Sequence, residues 1–312
     1  MKLLQKTAPV ALALSLLVAV GAEAETKIGV TMTSFDNPFL VILLNGIKDQ
    51  AAQMDGVTLQ LEDANLDVSR QINQIDNFMA SKVDAMIVNL VDGATSVVMT
   101  KKAIEAGIPL IYINHPPIDI DKLPDNVAFV GSNELDSGTM QTQEVCRLLN
   151  GKGKVLVMIG PLENEAARTR TEDIKKVIAA EPCTGMEIVE EQVANWSRIE
   201  GQNVMANWLT AGIKFDAIIS NNDEMAVGAI QVLKSANTDM DKVVVAGIDA
   251  TPDGLAAMKA GDLDVTVFQN AHKQGMLAVE AAVAMTKGEK VDHHIWVPFE
   301  LVTPKNMADY MK

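Results

Sequence analysis

Twelve side chains suited to gripping a hydroxylated molecule share one place in this chain, just beyond a short apolar run. Thr33, Asn37 and Phe39 follow Ile28-Gly-Val-Thr31, Asn89 follows Ala85-Met-Ile-Val88, and Asn114 with His115 follows Leu110-Ile-Tyr-Ile113. In the second half Arg168 and Arg170 follow Val155–Ile159, and Trp196 follows Val189–Val193. Asn222 follows Ala217-Ile-Ile219, Asp249 follows Val243–Ile248, and Gln269 follows Val265–Phe268. Asn, Asp, Gln and Arg pair with hydroxyls as donors or acceptors, while Trp196 and Phe39 suit the C–H faces of a ring. That inventory fits a neutral polyol; a lone phosphate or carboxylate calls for more converging cations. Each residue alone reads equally well as a turn former or helix cap. The recurrence is what points to a site.

The elements that must position these residues alternate. Strands are expected at 27–31, 57–61, 85–89, 109–113, 127–130, 154–159, 187–193, 217–220, 243–248, 265–268 and 295–302. Most are followed by a helical pattern, as where Leu40, Leu43, Leu44, Ile47, Ala51 and Met54 fall on one face. Asn37 offers an N-cap with Pro38 at the first helical position, and Thr251-Pro252 and Thr303-Pro304 repeat that punctuation. Alternating strands and helices predict an α/β fold of doubly wound parallel sheets, and strand starts near 27, 57, 85 and 109 share a rhythm with those near 154, 187, 217 and 243. One α/β unit is used twice. Ligands bind beyond the carboxyl ends of such strands, so two halves facing by those edges would line one cleft.

Composition narrows the function classes. Lys2 and Lys6 precede the apolar run Ala8–Val20, which closes on Gly21-Ala-Glu-Ala24; this describes a secretory signal peptide cleaved after Ala24, with a core too short to span a membrane. Its removal leaves 24 basic against 40 acidic residues, a net charge of −16 that argues against nucleic acid and anionic membrane. In an exported chain Cys146 and Cys183 either bridge or remain two buried thiols. No nucleophile elbow, P-loop or dinucleotide fingerprint is present, so no cofactor is expected, and His293-His294 reads as a solvated loop, not a metal site. Glu163 with Asp249 is the only acid–base pair that can be assembled for an enzyme.

Thr33-x-x-x-Asn37-Pro-Phe39, Asn89, Ala166-Ala-Arg-Thr-Arg170, Asn221-Asn-Asp-Glu-Met-Ala-Val-Gly228, Gly247-Ile-Asp-Ala-Thr-Pro-Asp-Gly254 and Gln269 carry a resemblance. Over nearly the whole mature length the chain resembles the periplasmic solute-binding proteins of bacterial ABC sugar importers, in the ribose-binding class. Regulators related to lactose repressor share that core but carry a DNA-binding helix-turn-helix where this chain has a signal peptide. The resemblance implies a monomeric two-lobed clamp of the type I periplasmic binding protein fold, with a three-strand hinge near Ser132, Gln269–Asn270 and Pro298. It places residues 25–132 and 270–297 in the N-terminal lobe, and 133–269 and 298–312 in the C-terminal lobe with both cysteines. It maps sugar contacts onto Asn37, Phe39, Asn89, Arg170, Trp196, Asn222, Asp249 and Gln269, and it implies a membrane permease as partner. Ribose-type members carry Asp-Arg after the fourth strand; here the pair is Asn114-His115. That neutral pair, the Pro116-Pro117 and Lys122-Leu-Pro124 stretch and Trp196 look more like the cyclitol-binding branch, so inositol-type cyclitols or their amino derivatives rank ahead of pentoses and hexoses. Presentation of ligand to a chemoreceptor is the other role compatible with such a cleft.

Overall fold

The computed structural model describes residues 25–311, so the signal-peptide segment lies outside the described residues. The strands are β1 (Thr26–Met32), β2 (Val57–Asp63), β3 (Ala85–Val88), β4 (Leu110–Ile113), β5 (Val127–Gly131) and β6 (Lys152–Ile159). They continue with β7 (Gly185–Val193), β8 (Ala217–Ser220), β9 (Val244–Ala246), β10 (Thr266–Phe268), β11 (His294–Trp296) and β12 (Glu300–Val302). The helices are α1 (Pro38–Gln53), α2 (Val68–Ala80), α3 (Ser96–Ala106), α4 (Glu134–Leu148) and α5 (Glu165–Ile178). They end with α6 (Arg198–Thr210), α7 (Asp223–Ser235), α8 (Pro252–Lys259) and α9 (Ala271–Thr286).

One sheet runs β11-β5-β4-β3-β1-β2, with every pairing parallel. A second runs β7-β6-β8-β9 in parallel; the bridges Ala246–Val265 and Asp249–Phe268 bring the antiparallel β10-β12 pair against its edge. Both units therefore order their first strands as second, first, third, fourth. This is the type I periplasmic binding protein fold, with similar doubly wound lobes. Helices cover both faces of each sheet because the central strands are apolar on both: Val30 packs with Leu43, Ile47 and Val279, while Met86 and Val88 pack with Ile75, Phe78 and Met99. In the second lobe Leu156 and Met158 pack with Met205, Trp208 and Met225, and Val155 and Val157 with Ile174 and Cys183.

Polar residues that end strands also start helices. Asn37 Oδ1 accepts from the backbone N–H groups of Phe39 at 3.0 Å and Leu40 at 3.3 Å, and Pro38 opens α1 as the sequence predicts. Asp67, Asn133, Asn164, Ser197, Asn222, Thr251 and Asn270 cap other helices in the same manner.

The strand expected over 295–302 is two short strands, β11 in the first sheet and β12 paired antiparallel with β10. Pro298 lacks the N–H a continuous ladder needs, and the chain crosses between lobes there. His294 opens β11 and so is not in a loop, while His293 stands half-exposed in the bend before it. His293 Nδ1 pairs with the Val127 carbonyl at 2.9 Å, His294 Nε2 with that of Ile120 at 2.7 Å, and the His294 ring stacks on Trp296.

Candidate functional site

The carboxyl ends of the strands gather most of the expected residues, but into two kinds of role. In the N-terminal lobe Asn89 is wholly buried behind β3: its Oδ1 accepts from Thr33 N at 3.2 Å and Thr33 Oγ1 at 2.9 Å, and its Nδ2 donates to the Ile113 carbonyl at 3.1 Å. Asn89 and Thr33 thus lock the ends of β1, β3 and β4 together. Asn114, in the left-handed region at φ 64°, donates to Gln274 Oε1 at 3.3 Å, and Gln274 Nε2 donates to Ser132 Oγ at 3.0 Å at the crossing into α4. Phe39 is buried in the lobe's core cluster, with Phe35 against that cluster.

His115 faces the other lobe. Burial, opposed by its bond to the Leu90 carbonyl and aided by the positive charge of Arg170, pushes its imidazole down to about 4. Nδ1 lies 2.7 Å from that carbonyl, which can only accept, so Nδ1 carries the proton and Nε2 keeps its lone pair.

Arg170 is the centre of the C-terminal lobe's cluster. Its Nε donates to Glu134 Oε2 at 2.7 Å, Nη1 to the Asn221 carbonyl at 2.8 Å, and Nη2 to Glu134 Oε1 at 3.2 Å and Gln269 Oε1 at 3.4 Å. A Cβ on Gly138 would come within 2.6 Å of the Arg170 carbonyl, so only glycine lets α4 and α5 approach closely enough for that pair. The guanidinium carbon lies 5.5 Å from the Trp196 ring centroid and 5.9 Å from that of Phe299. Trp196 is aimed by a left-handed pair, Asn195 at φ 49° and Trp196 at 59°, as Asn65 and Leu66 are at 51° and 59° after β2. A Cβ on Gly160 would stand 2.4 Å from the indole, so Gly160 makes room for the ring.

Asp249 sits at φ 120°, a conformation rarely adopted by anything but glycine, with Ala250 at 51° behind it. Burial holds its carboxyl well above the usual range; Arg170 opposes this, and Asp223, Glu134 and Glu224 add to it. Asp223 beneath it is fully engaged, accepting from Thr266 Oγ1 at 2.7 Å and Thr251 N at 2.9 Å. Asn222 serves as the cap of α7 and reaches the Trp196 carbonyl at 3.5 Å.

Arg168 does not join this cluster. Two residues before Arg170 on α5, it points to the half-exposed side and pairs with Glu165 and the Leu162 carbonyl. Glu163 is exposed, whereas Asp249 is buried. Cys146 and Cys183 are bridged, with Cα atoms 5.7 Å apart, and a cavity of about 740 Å³ beside them is lined by none of the cleft residues. Sequence reasoning missed Glu134, because an acidic residue opening a helix reads as a partner of the helix dipole. It also passed over Asn221 in favour of its neighbour.

Residues 28–290 match the family described as periplasmic binding protein domain. The chain belongs to that family. Among related binding proteins, a putative rhizopine-binding protein of Rhizobium meliloti is 55% identical over 96% of this chain and 97% of its own length. The ribose import binding protein of Escherichia coli is 30% identical, covering 94% and 95%. A Bacillus halodurans ABC transporter solute-binding protein, solved with bound myo-inositol, is 41% identical and superposes with a TM-score of 0.87 over 93% of this chain and 99% of its own. The family consists of ligand-binding proteins of ABC importers, not enzymes.

Proposed function

We propose that this binding protein is exported to the periplasm, captures an inositol-type cyclitol between its lobes as a monomer, and delivers it to an ABC permease. One observation carries the reading. Around Arg170, the buried N–H donors Trp196 Nε1, Asn221 Nδ2 and Gln269 Nε2 have no acceptor among the described residues, and the Asp249 carboxyl stands close enough to Arg170 to feel its charge. A buried polar group without a partner is costly, and three donors with one acceptor answer the hydroxyls of a small ring. Trp196 supplies the apolar face, while His115 Nε2 offers an acceptor from the opposite lobe. Thr33 and Asn89 act behind the site by holding the strand ends, and Asn37 and Asn222 by capping the helices that open onto it. The bound relative of Bacillus halodurans and the neutral Asn114-His115 pair both favour a cyclitol over an aldose.

Ligand contacts made from both lobes favour the closed form only through their excess over the open one. The test is calorimetric titration of residues 25–312, stripped of ligand, with myo-inositol, ribose, galactose and xylose. Saturable one-to-one binding of myo-inositol, with little heat from the aldoses, is expected. An aldose binding in its place overturns the ligand assignment and leaves the transport role standing.

A further inference from the structure

The chain leaves β4 through a rare turn. Asn114 has φ 64°, and the His115 N–H donates back to the Ile113 carbonyl at 2.7 Å, which is the bonding pattern and the sign of φ of a γ-turn. Such a turn is strained and persists only where its surroundings hold it. The Asn114 N–H keeps the sheet ladder by donating to the Val130 carbonyl at 2.8 Å, and its side chain is held by Gln274 Oε1 at 3.3 Å. Gln274 is wholly buried, and the other end of its amide donates to Ser132 Oγ at 3.0 Å. It stands in the first turn of α9, which lies so tight on α1 that a Cβ on Gly275 would come within 2.3 Å of the Leu43 carbonyl. Its backbone is therefore fixed. Ser132 opens the passage from β5 to α4, and Val297 N, in the passage from β11 to β12, donates to the adjoining Gly131 carbonyl at 2.8 Å. The third passage, from β10, runs into the helix of Gln274 itself.

We infer that Gln274, buried out of reach of the cleft, is a positioning residue for ligand binding: through Asn114 it holds the turn that presents His115 to the other lobe, and through Ser132 it ties that turn to the passages between the lobes. This rests on the reading above, in which His115 meets the ligand from the N-terminal lobe, and deepens it. Released from Gln274, Asn114 relaxes to the negative φ that ordinary turns use. That change of sign carries the following residue off its course, and the His115 ring leaves its place on the Leu90 carbonyl.

A double-mutant cycle gives the test. It is read by calorimetric titration of the ligand-stripped protein with myo-inositol, or with whichever aldose the panel above finds bound in its place, so the result for Gln274 does not hang on the ligand assignment. Gln274→Leu should weaken binding by about tenfold, the scale of releasing one strained turn. In a His115→Ala background it should change affinity by less than about twofold, because no ring is left to aim, while lowering the urea midpoint equally in both backgrounds. Asn114→Ala, which leaves α9 intact, should repeat both affinity results and serves where Gln274→Leu does not fold. Parental affinity in these single variants overturns the inference and leaves the cyclitol reading intact. A loss that adds in full to that of His115→Ala makes Gln274 a structural residue only and overturns it equally, as does a His115→Ala variant that binds like the parent. Heat from no sugar of the panel overturns the binding reading and the inference with it.

Discussion

Asp223 shows how one buried carboxyl ties stability to pH. Burial pushes its carboxyl up from 3.8 to about 7, against the bonds from Thr266 and Thr251. A folded-state value above the unfolded one means the native chain binds the extra proton, so this contribution is full below about 4 and is lost as pH rises towards about 7. Across that window it amounts to something on the order of 4 kcal/mol. Asp223→Asn can accept from Thr251 N and donate to Thr266 Oγ1, so it keeps the fold without the titration. Urea denaturation between pH 4 and 7 should therefore give a flatter stability profile for the variant than for the parent. Parallel profiles would show that Asp223 does not titrate there. From sequence this residue was one member of an Asn-Asn-Asp run after a strand; its depth beneath Asp249 depends on Gly247 and Gly254, whose added Cβ atoms would each lie 2.2 Å from its carboxylate.

At the scale of elements, the α4–β7 connection is fastened covalently. Cys146 on α4 and Cys183 ahead of β7 lie 37 residues apart and are buried in one cluster with Val155, Ile174 and Met186. In the loop-entropy picture a closure of that length restricts the unfolded chain by about 4 kcal/mol. Replacing both cysteines by serine should lower the urea midpoint by an amount approaching that figure and leave cyclitol affinity within about twofold, since the bridge lies away from Arg170 and Asp249. A large affinity loss in a still-folded variant would contradict that separation. Helix starts were readable from their caps and prolines because capping is a local interaction. The division of 295–302 between two sheets was not, because β-type alternation continues through Pro298 and only the placement of the sheets decides which partner each half finds.

At the scale of the molecule, three segments pass between the sheets, from β5 to α4, from β10 to α9 and from β11 to β12. Across them, His115 lies under the influence of Arg170 in the other lobe. A solvated imidazole in an open form titrates near the ordinary 6.5, whereas the buried one is held down to about 4, so the closed form loses stability as pH falls through that interval. Small-angle scattering of the ligand-free protein should show the radius of gyration rising over that range. His115→Asn, whose amide can still donate to the Leu90 carbonyl, should show a smaller rise. An unchanged rise in the variant would remove His115 from the closure equilibrium.

The sequence by itself determined the elements, their alternation and the duplicated α/β unit, because apolar periodicity, caps and proline positions are local and are written residue by residue. It also placed Trp196, Asp249 and Gln269 at strand ends, where open parallel sheets put their sites. Only the tertiary structure decided what those residues are free to do. Arg168 and Arg170 look equivalent in the chain, yet the turn of α5 separates them, leaving one at the surface and the other in the cluster. Glu134 is 36 residues from Arg170 and reaches it only because Gly138 lets two helices close on each other. Which charge is cancelled depends on such long-range contacts, and no pattern along the chain encodes them.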